Sequence, residues 1–435
     1  MSSTRAPEPL GGISMASRSP LADSRELAAV SGALYPVLTL LVRLPQTMVP
    51  LGVLTTVALI SGSPALGTLC AGAVTLGSAV CGLAMGAAAS WRGRQLGLVL
   101  LTLANPVAVW WLVRLLPGAS AAAEPDPVRL VLPCLLAGLV LPQMGVVCRL
   151  RWWSLLARDD RQDLFDTALR HESVMDSLAT VLAAVVTGLV AVTLGPAAVL
   201  ALSAALTLAG TTVFLLHCSA RLPRRLLRFR APAAAGLTRA ARLRRRRTAQ
   251  LRLLPVVGMG TLGALLGSIL GSVVVFAISV DAVVSVAWLY AVTGLTSAVA
   301  AVFASARTEE LRLWNRWVGA ASGAVLASML LTVPDDSVGM VLALAVAGLT
   351  TGPCLVAVYE LARLVAPSSR VTALTTVMTA AMSVGMTVGL VLSGWFGETW
   401  GYRTAALVPV GSAALLLAGA LGFVHRWRRT LLDDA

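Results

Sequence analysis

The middle of the chain, residues 218–252, reads CSARLPRRLLRFRAPAAAGLTRAARLRRRRTAQLR. It holds twelve arginines and no acidic residue, and it separates two strongly apolar regions of similar length. A helix that crosses a bilayer needs about 20 apolar residues, and arginines collect in the short loops on the cytoplasmic side. The arrangement therefore predicts two membrane-embedded halves joined by a basic connector.

The composition of the whole chain favours a membrane protein and excludes a soluble one. Of its 435 residues, 57% are apolar and 12% are charged, and the mean hydropathy is +0.84. Soluble domains average about 25% charged residues. All 34 basic residues are arginine, against 20 acidic ones. The six cysteines have no C-x-x-C spacing and the three histidines are far apart, so we expect no metal, no cofactor and no disulfide framework.

The arginines also predict how the chain crosses the membrane. With the N-terminus placed in the cytoplasm, thirty of the 34 lie on that side, three lie on the other, and Arg43 falls inside the first apolar segment. This bias predicts twelve crossings of the inner (plasma) membrane with both termini cytoplasmic. The twelve segments run over 33–60, 65–89, 95–116, 128–148, 173–195, 196–217, 253–279, 282–305, 315–333, 338–362, 371–396 and 402–425.

The fold class that follows is an all-α membrane protein with twelve transmembrane helices in two six-helix bundles. Equal numbers of spans on each side of the connector predict a pseudo-two-fold axis along the membrane normal. We interpret the connector as a positive-inside loop, with a site for anionic lipid or nucleic acid as the alternative. The predicted parts are a cytoplasmic tail over 1–32, a bundle over 33–217, the basic linker over 218–252, a second bundle over 253–425 and a cytoplasmic tail over 426–435.

Three local strings resemble the major facilitator superfamily of transporters. The string GAAASWRGRQ at 86–95 is similar to the pattern G-x-x-x-D-R-x-G-R-R between the second and third spans of that family, with Ser90 in place of the aspartate. The string at 138–152 resembles G-x-x-x-P followed by R-x-R-W, and the string at 168–176 resembles the entry to the fifth span. These last two are similar to a branch of permeases and exporters from actinobacteria.

The resemblance implies a function and a gate. The function is secondary active transport by alternating access, as proton-coupled export of a small hydrophobic or amphipathic compound. The implied cytoplasmic gate is formed by Gly86, Arg92, Gly93 and Arg94. Its glycines would let helix ends approach, and its arginines would bind helix C-terminal carbonyls or an acidic partner. The alternative is that the two arginines only anchor the loop on the positive side.

Three charged residues at or near span depth are candidates for the transport pathway. Arg43 would cost about 2.5–3.5 kcal/mol in a bilayer unless it faced a wet cavity, a carboxylate or a carbonyl. We expect it to pair with an acidic residue or an anionic substrate, with a carbonyl freed by a nearby proline as the alternative. Glu172 and Asp176 share one helix face and are candidates for proton exchange. Their alternative role is an ionised pair at a helix N-terminus, neutralised by Arg149, Arg151 or Arg170 of the preceding loop.

Polar and small residues add weaker signals. Gln46, Asn105 and Gln143 are candidates for hydrogen bonds in the pathway, and bonds between helices are an equal alternative. Glycines recur every four positions on the seventh and eleventh segments, which predicts close helix packing or sliding. Tryptophans near the span ends, Trp152 among them, predict an interfacial belt.

Nothing in the sequence supports an enzyme, because it has no Walker loop, no HExxH motif and no nucleophile elbow. We expect a small-molecule substrate, the lipid bilayer as surroundings, a proton as the coupling ion, no nucleic acid and a monomer. Two alternatives stay open. One is uptake of a small anionic solute that pairs with Arg43, and the other is a non-transporting membrane scaffold or sensor with the same fold.

Overall fold

A computed structural model describes residues 32, 34–87, 91–116, 127–156, 164–219, 239–306, 313–365 and 368–433. Every α-helix or 3-10 helix in these ranges belongs to an up-and-down bundle, and the described residues include no strand. The first half contains α1 (Tyr35–Leu41), α2 (Leu44–Ser61), α3 (Pro64–Ala87), α4 (Trp91–Leu115), α5 (Pro127–Leu139), α6 (Met144–Leu156), α7 (Phe165–Leu194) and α8 (Pro196–Ser219).

The second half begins inside the predicted linker. Its first helix is continuous from the arginine-rich end of the connector through the seventh apolar segment. The helices of this half are α9 (Arg239–Ser279), α10 (Val286–Ala306), α11 (Leu313–Leu330), α12 (Ser337–Val365), α13 (Ser368–Trp400), α14 (Tyr402–Ala405) and α15 (Leu407–Asp433).

The predicted spans are found in order. Eleven stretches of the described chain are long and apolar enough to cross a membrane, and α1 with α2, α5 with α6 and α14 with α15 each make one of them. The remaining predicted segment corresponds to α11, which has 18 residues and packs against α12 and α15. The twelve-helix, two-bundle fold expected from the sequence is thereby confirmed. We call the end of the bundle at which α3 ends and α4 begins the terminal face.

Two spans of the first half are broken. Pro45 lacks the N–H that would bond to the carbonyl of Leu41, and residues 42–43 form a turn between α1 and α2. Pro142 lies in a second break, between α5 and α6. Gln46 Nε2 donates to the carbonyl of Pro142 at 3.1 Å and so joins the two breaks. Irregular backbone at membrane depth is tolerated where it lines a cavity, so the breaks mark a candidate site.

Glycines hold α9 against α13 with their backbones in contact. Gly263 faces the carbonyl of Met382, and Gly385 faces that of Gly260, so a Cβ at either glycine would overlap that oxygen. Close packing at these glycines agrees with the prediction from their spacing.

The same kind of contact repeats in both halves. In the first half, Gly77 and Gly138 bring the backbones of α3 and α5 together. In the second half, Gly348 and Gly352 do so for α10 and α12. These are the second and fourth spans of each bundle, so the two halves share one packing scheme, which their residues do not show as a sequence repeat.

Two helix pairs make the most extensive contacts between the halves. On α13, Thr387 Oγ1 donates to the carbonyl of Gly72 at 3.1 Å, and the carboxylate of Glu398 accepts hydrogen bonds from the N-terminal residues of α3. On the other side of the molecule, Gly188 of α7 packs against the indole of Trp288 near the start of α10. The central cavity lies between these two seams.

Candidate functional site

Four charged side chains form a buried cluster on the first half, which we call the charge cluster. It consists of Arg43, Arg149, Glu172 and Asp176. Arg43 lies in the turn before α2, about 12 Å along the helix axis from Tyr35. The carboxylates project from α7 one helical turn apart, and Arg149 comes from α6. Two cations and two anions balance the formal charge of the cluster.

Each of the three guanidinium nitrogens of Arg43 contacts a different partner. One terminal nitrogen donates to Glu172, and the other donates to the carbonyl of Thr39 at 3.3 Å. Nε lies 2.8 Å from Oδ1 of Asp176. The turn at residues 42–43 frees the Thr39 carbonyl, since the backbone N–H of Arg43 bonds to Leu40 instead. Arg43 thus contacts two carboxylates and one backbone carbonyl, which is freed by the turn rather than directly by a proline, and its role in a transport pathway stays a prediction.

Glu172 is fully buried and bonded on both oxygens. Its second oxygen accepts from the indole Nε1 of Trp152 at 2.7 Å. Behind this bond, the ring of Tyr35 packs edge-on against Trp152 at 5.3 Å, and the guanidinium of Arg151 lies 4.7 Å from the Tyr35 ring centroid. A carboxylate held by two donors in a dry aromatic setting is a fixed counter-ion for Arg43.

His171 completes the surroundings of Glu172 from the terminal face. Its ring meets Trp152 at 6.4 Å with an interplanar angle of 75°. Burial lowers the pKa of this imidazole, Arg43 lowers it further, and Glu172 opposes both. The histidine is therefore neutral at physiological pH.

Asp176 and Arg149 form the open side of the charge cluster. The side chain of Asp176 is 38% exposed, and its Oδ2 accepts from Arg149 at 3.0 Å. The other terminal nitrogen of Arg149 donates to Oγ1 of Thr379 on α13 at 3.3 Å. This bond crosses from one half of the molecule to the other, so the charge cluster lies at the interface that alternating access would move.

The central cavity has a volume of about 270 Å³ and two unlike walls. The first half contributes Arg43, Arg149 and Asp176, whereas Glu172 does not reach the surface of the cavity. The second half contributes hydroxyl groups and a largely apolar surface, comprising Leu266, Leu270, Tyr290, Thr293, Ser297, Leu355, Tyr359, Thr379, Met382, Ser383, Met386 and Leu390. The cavity is therefore amphipathic, with its charge on one side.

The structure brings most of the predicted pathway residues to this place. Gln46 and Gln143 line the cavity with Arg43 and Asp176. Asn105 does not line it; this residue is buried on α4, and neither polar atom of its side chain has a hydrogen-bond partner among the described residues. Within those residues, no group of His, Cys, Asp or Glu side chains is close enough to hold a metal ion.

The predicted gate is only partly described. Gly86 lies at the end of α3 and packs against Thr376 of α13, where the halves meet. Gly93 is exposed on the first turns of α4. The side chains of Arg92 and Arg94, and residue Ser90 between the helices, lie outside the described part of the chain.

Sequence reasoning placed three members of the site outside the membrane core. Arg149 and Arg151 were expected in a loop, and Trp152 in an interfacial belt, but all three are buried on α6. The reason is the break at Pro142, after which α6 continues the span that α5 begins, so that residues 144–152 lie within the span and not in a loop. The string of glycine, proline and arginine at 138–152 was the available signal. It would have placed these residues correctly if Pro142 had been interpreted as a break inside the span rather than as the end of the span.

Comparison with solved structures supports the fold described above, whereas comparison of the sequence alone finds no match. No family model and no curated protein matches the sequence. Among solved structures, the chain is similar to an autoinhibited POT family peptide transporter, with 14% identity, a TM-score of 0.63 and coverage of 91% of this chain and 96% of that one. It is also similar to the nucleoside transporter NupG, with 14% identity, a TM-score of 0.57 and coverage of 89% and 99%. A variant of the E. coli fucose:proton symporter gives 12% identity, a TM-score of 0.57 and coverage of 90% and 98%. These likenesses establish a major facilitator-type fold.

Proposed function

We propose that this chain is a secondary active transporter that works by alternating access and holds its substrate in the central cavity. The observation that carries the proposal is the charge cluster beside a cavity between the two halves. Ionised side chains at membrane depth are costly, and they mark ion or substrate pathways. The similar solved structures are a peptide transporter, a nucleoside transporter and a fucose:proton symporter, which supports the same assignment.

We assign the coupling proton to Asp176. Its side chain is 38% exposed and lines the cavity, whereas Glu172 is fully buried and held by Arg43 and Trp152. Asp176 faces Arg43 and Arg149, and Glu172 lies one turn before it on α7. A proton on Asp176 would neutralise its ion pairs with Arg149 and with Nε of Arg43, and would leave the ion pair between Arg43 and Glu172 in place.

The placement of the chain in its membrane follows from the arginines. We propose that the terminal face is cytoplasmic, that the membrane is the plasma membrane, and that the moving bodies are residues 33–217 and 253–425. The connector at 218–252 would stay on the cytoplasmic side, because it holds twelve arginines and no acid.

The substrate that suits the cavity is a small amphipathic molecule. A volume of about 270 Å³ lies just below the range of roughly 300–1,000 Å³ that is typical of ligand sites, so the cavity suits a small molecule. The resemblance noted in the sequence implies export against protons. The excess of arginine on the cavity wall favours the alternative, in which an anionic solute and a proton travel the same way.

Transport by purified protein in proteoliposomes tests this function. A proton gradient is imposed, small amphipathic compounds are added, and a pH-sensitive dye inside the vesicles reports substrate-dependent proton movement. We expect a signal from the wild type and a background signal from Asp176→Asn. The matched control is Asp281→Asn, in an exposed turn with a φ of 53°, which asparagine also adopts.

Each result has a separate meaning. Wild-type coupling in Asp176→Asn would remove this residue from the mechanism. If no compound moves in the wild type, whether gradients are imposed inward or outward, the chain is a scaffold or sensor with a transporter fold. Proton movement opposite to the substrate would indicate export by antiport, and proton movement in the same direction would indicate uptake by symport.

A further inference from the structure

The charge on the cavity wall differs from the charge of the cluster as a whole. Among the described residues that line the cavity, Arg43, Arg149 and Asp176 are charged and Glu172 is absent. A molecule in the cavity therefore meets Asp176, whose side chain is 38% exposed, with the guanidinium groups of Arg149 (8% exposed) and Arg43 (1% exposed) behind it. A net positive wall behind an apolar space favours an anionic head group.

The two arginines are not equally available to a ligand. Arg43 is bonded to Glu172 and to the carbonyl of Thr39, and its Nε faces Asp176. Arg149 has one bond to Asp176 and one to the neutral hydroxyl of Thr379, at 3.3 Å. Because one of the two bonds of Arg149 is long and made to a neutral group, a second carboxylate would bind Arg149 more favourably than Arg43. A carboxylate can accept two parallel hydrogen bonds from the planar guanidinium.

The cavity wall contributed by the second half is suited to an apolar group. Leu266, Leu270, Met382 and Met386 line it from α9 and α13. Methionine side chains adapt to ligands of different shape. A ligand that fills this space would carry its charge at one end and a short chain or a single ring at the other.

From these observations, and resting on the proposed function, we infer that the cavity takes a small apolar monocarboxylate whose carboxylate binds Arg149. The ligand replaces Asp176 and Thr379 as the partner of the guanidinium. Asp176 then takes up a proton, because its two oxygens no longer share two arginines. The other groups that face it are Arg43 on the turn before α2, Glu172 on α7 and, beside Arg149, Tyr359 on α12. Proton and carboxylate therefore bind together.

Three probes with one tail test the head-group preference. They are 3-phenylpropanoate, 3-phenylpropanamide and 3-phenylpropylamine, added to the purified full chain in detergent micelles, with binding followed by isothermal calorimetry. We expect the carboxylate to bind at least about tenfold more tightly than the amide and the amine, a difference of about 1.4 kcal/mol. We also expect its affinity to fall as the pH rises, with one proton taken up per ligand in weakly buffered solution.

Two variants locate the contact. Arg149→Gln should abolish the preference for the carboxylate. Asp176→Asn should bind the carboxylate at least as tightly as the wild type, without pH dependence, because the competing anion is gone. If Arg149→Gln does not fold, Asp176→Asn still decides, since weaker binding or unchanged pH dependence there would overturn the inference. Arg403→Gln, an exposed arginine that pairs with Asp335 outside the cavity, serves as the matched control that keeps the preference.

The outcomes separate this inference from the proposed function. Tighter binding of the amine or the amide overturns the inference and leaves transport of another solute class standing. The same holds if none of the three probes binds while another compound moves in proteoliposomes. A carboxylate preference that persists in folded Arg149→Gln also overturns the inference.

Discussion

At the scale of single residues, the bond between Arg43 and Glu172 is the contact on which the site depends. Removal of one partner leaves an uncompensated buried charge, which costs about 3–5 kcal/mol in proteins. We predict that Arg43→Gln and Glu172→Gln each lower the thermal midpoint of the detergent-solubilised protein strongly. The double variant should lose less than the sum of the two, because neither charge is then left alone. Strictly additive losses would show that the two side chains do not act as a pair.

His171 gives the site a pH dependence of known sign. Its folded-state pKa lies below its ordinary value of 6.5, so the unfolded chain binds more protons in mild acid. The stability that a neutral His171 provides is present above 6.5 and is lost as the pH falls through the folded pKa. We predict that the thermal midpoint falls between neutral pH and about pH 5, and that His171→Gln reduces this fall. His425→Gln, at an exposed position on α15, should leave the fall unchanged.

The residues of the charge cluster show what sequence reasoning reaches and where it stops. Arg43, Glu172 and Asp176 are identifiable because charge at or near span depth is costly. Their pairing is not identifiable, because 129 residues separate Arg43 from Glu172 and only the packing of α7 against the first span joins them. The burial of Arg149 was not predicted for a different reason. A basic residue just after an apolar run is as typical of a cytoplasmic loop as of a buried position.

At the scale of helices, replacing a glycine by alanine tests whether that glycine is in contact with a neighbouring helix. An alanine normally stabilises a helix by up to about 1 kcal/mol relative to glycine. At Gly385 the added methyl would overlap the carbonyl of Gly260, whereas at Gly419 on α15 nothing lies within 4 Å of it. We predict that Gly385→Ala lowers stability by about 1–3 kcal/mol, as overpacking does. Gly419→Ala should be neutral or stabilising, and equal effects of the two variants would contradict the close contact of α9 and α13.

The helices themselves were predicted better than their interruptions. Length and hydropathy place the spans, because a bilayer imposes one length on every crossing. The breaks at residues 42–43 and 140–143 depend on prolines, and a proline inside a membrane helix is often tolerated without a break. Pro255 and Pro353 stand inside the unbroken helices α9 and α12. The cavity that the two breaks line therefore could not be located from the sequence.

At the scale of the whole molecule, the two halves have different tasks on the same scaffold. The first half carries the broken helices and the charge cluster, whereas the second supplies the apolar cavity wall and the backbone contacts of α9 with α13. A bundle locked by glycine contacts is suited to move as a rigid body. The hydrogen bonds that cross between the halves in the described chain, such as that of Arg149 with Thr379, are bonds that a rocking motion would break and remake.

The seam between α3 and α13 allows that motion to be tested, because it is in contact at both of its ends. Gly86 packs against Thr376 at the terminal face, and Ser63 donates to Glu398 at 2.5 Å at the opposite end. In a background without the natural cysteines, we predict that a disulfide in Gly86→Cys with Thr376→Cys stops transport. A short reducible bis-methanethiosulfonate cross-link between Ser63→Cys and Glu398→Cys should also stop it, because this contact is made by the far end of the glutamate side chain and leaves the Cβ atoms too far apart for a direct disulfide. Reduction should restore transport in both cases, since alternating access opens each end once per cycle. Full transport by a protein cross-linked at either end would mean that this end never opens, and the substrate would then need a route other than the one between the two halves.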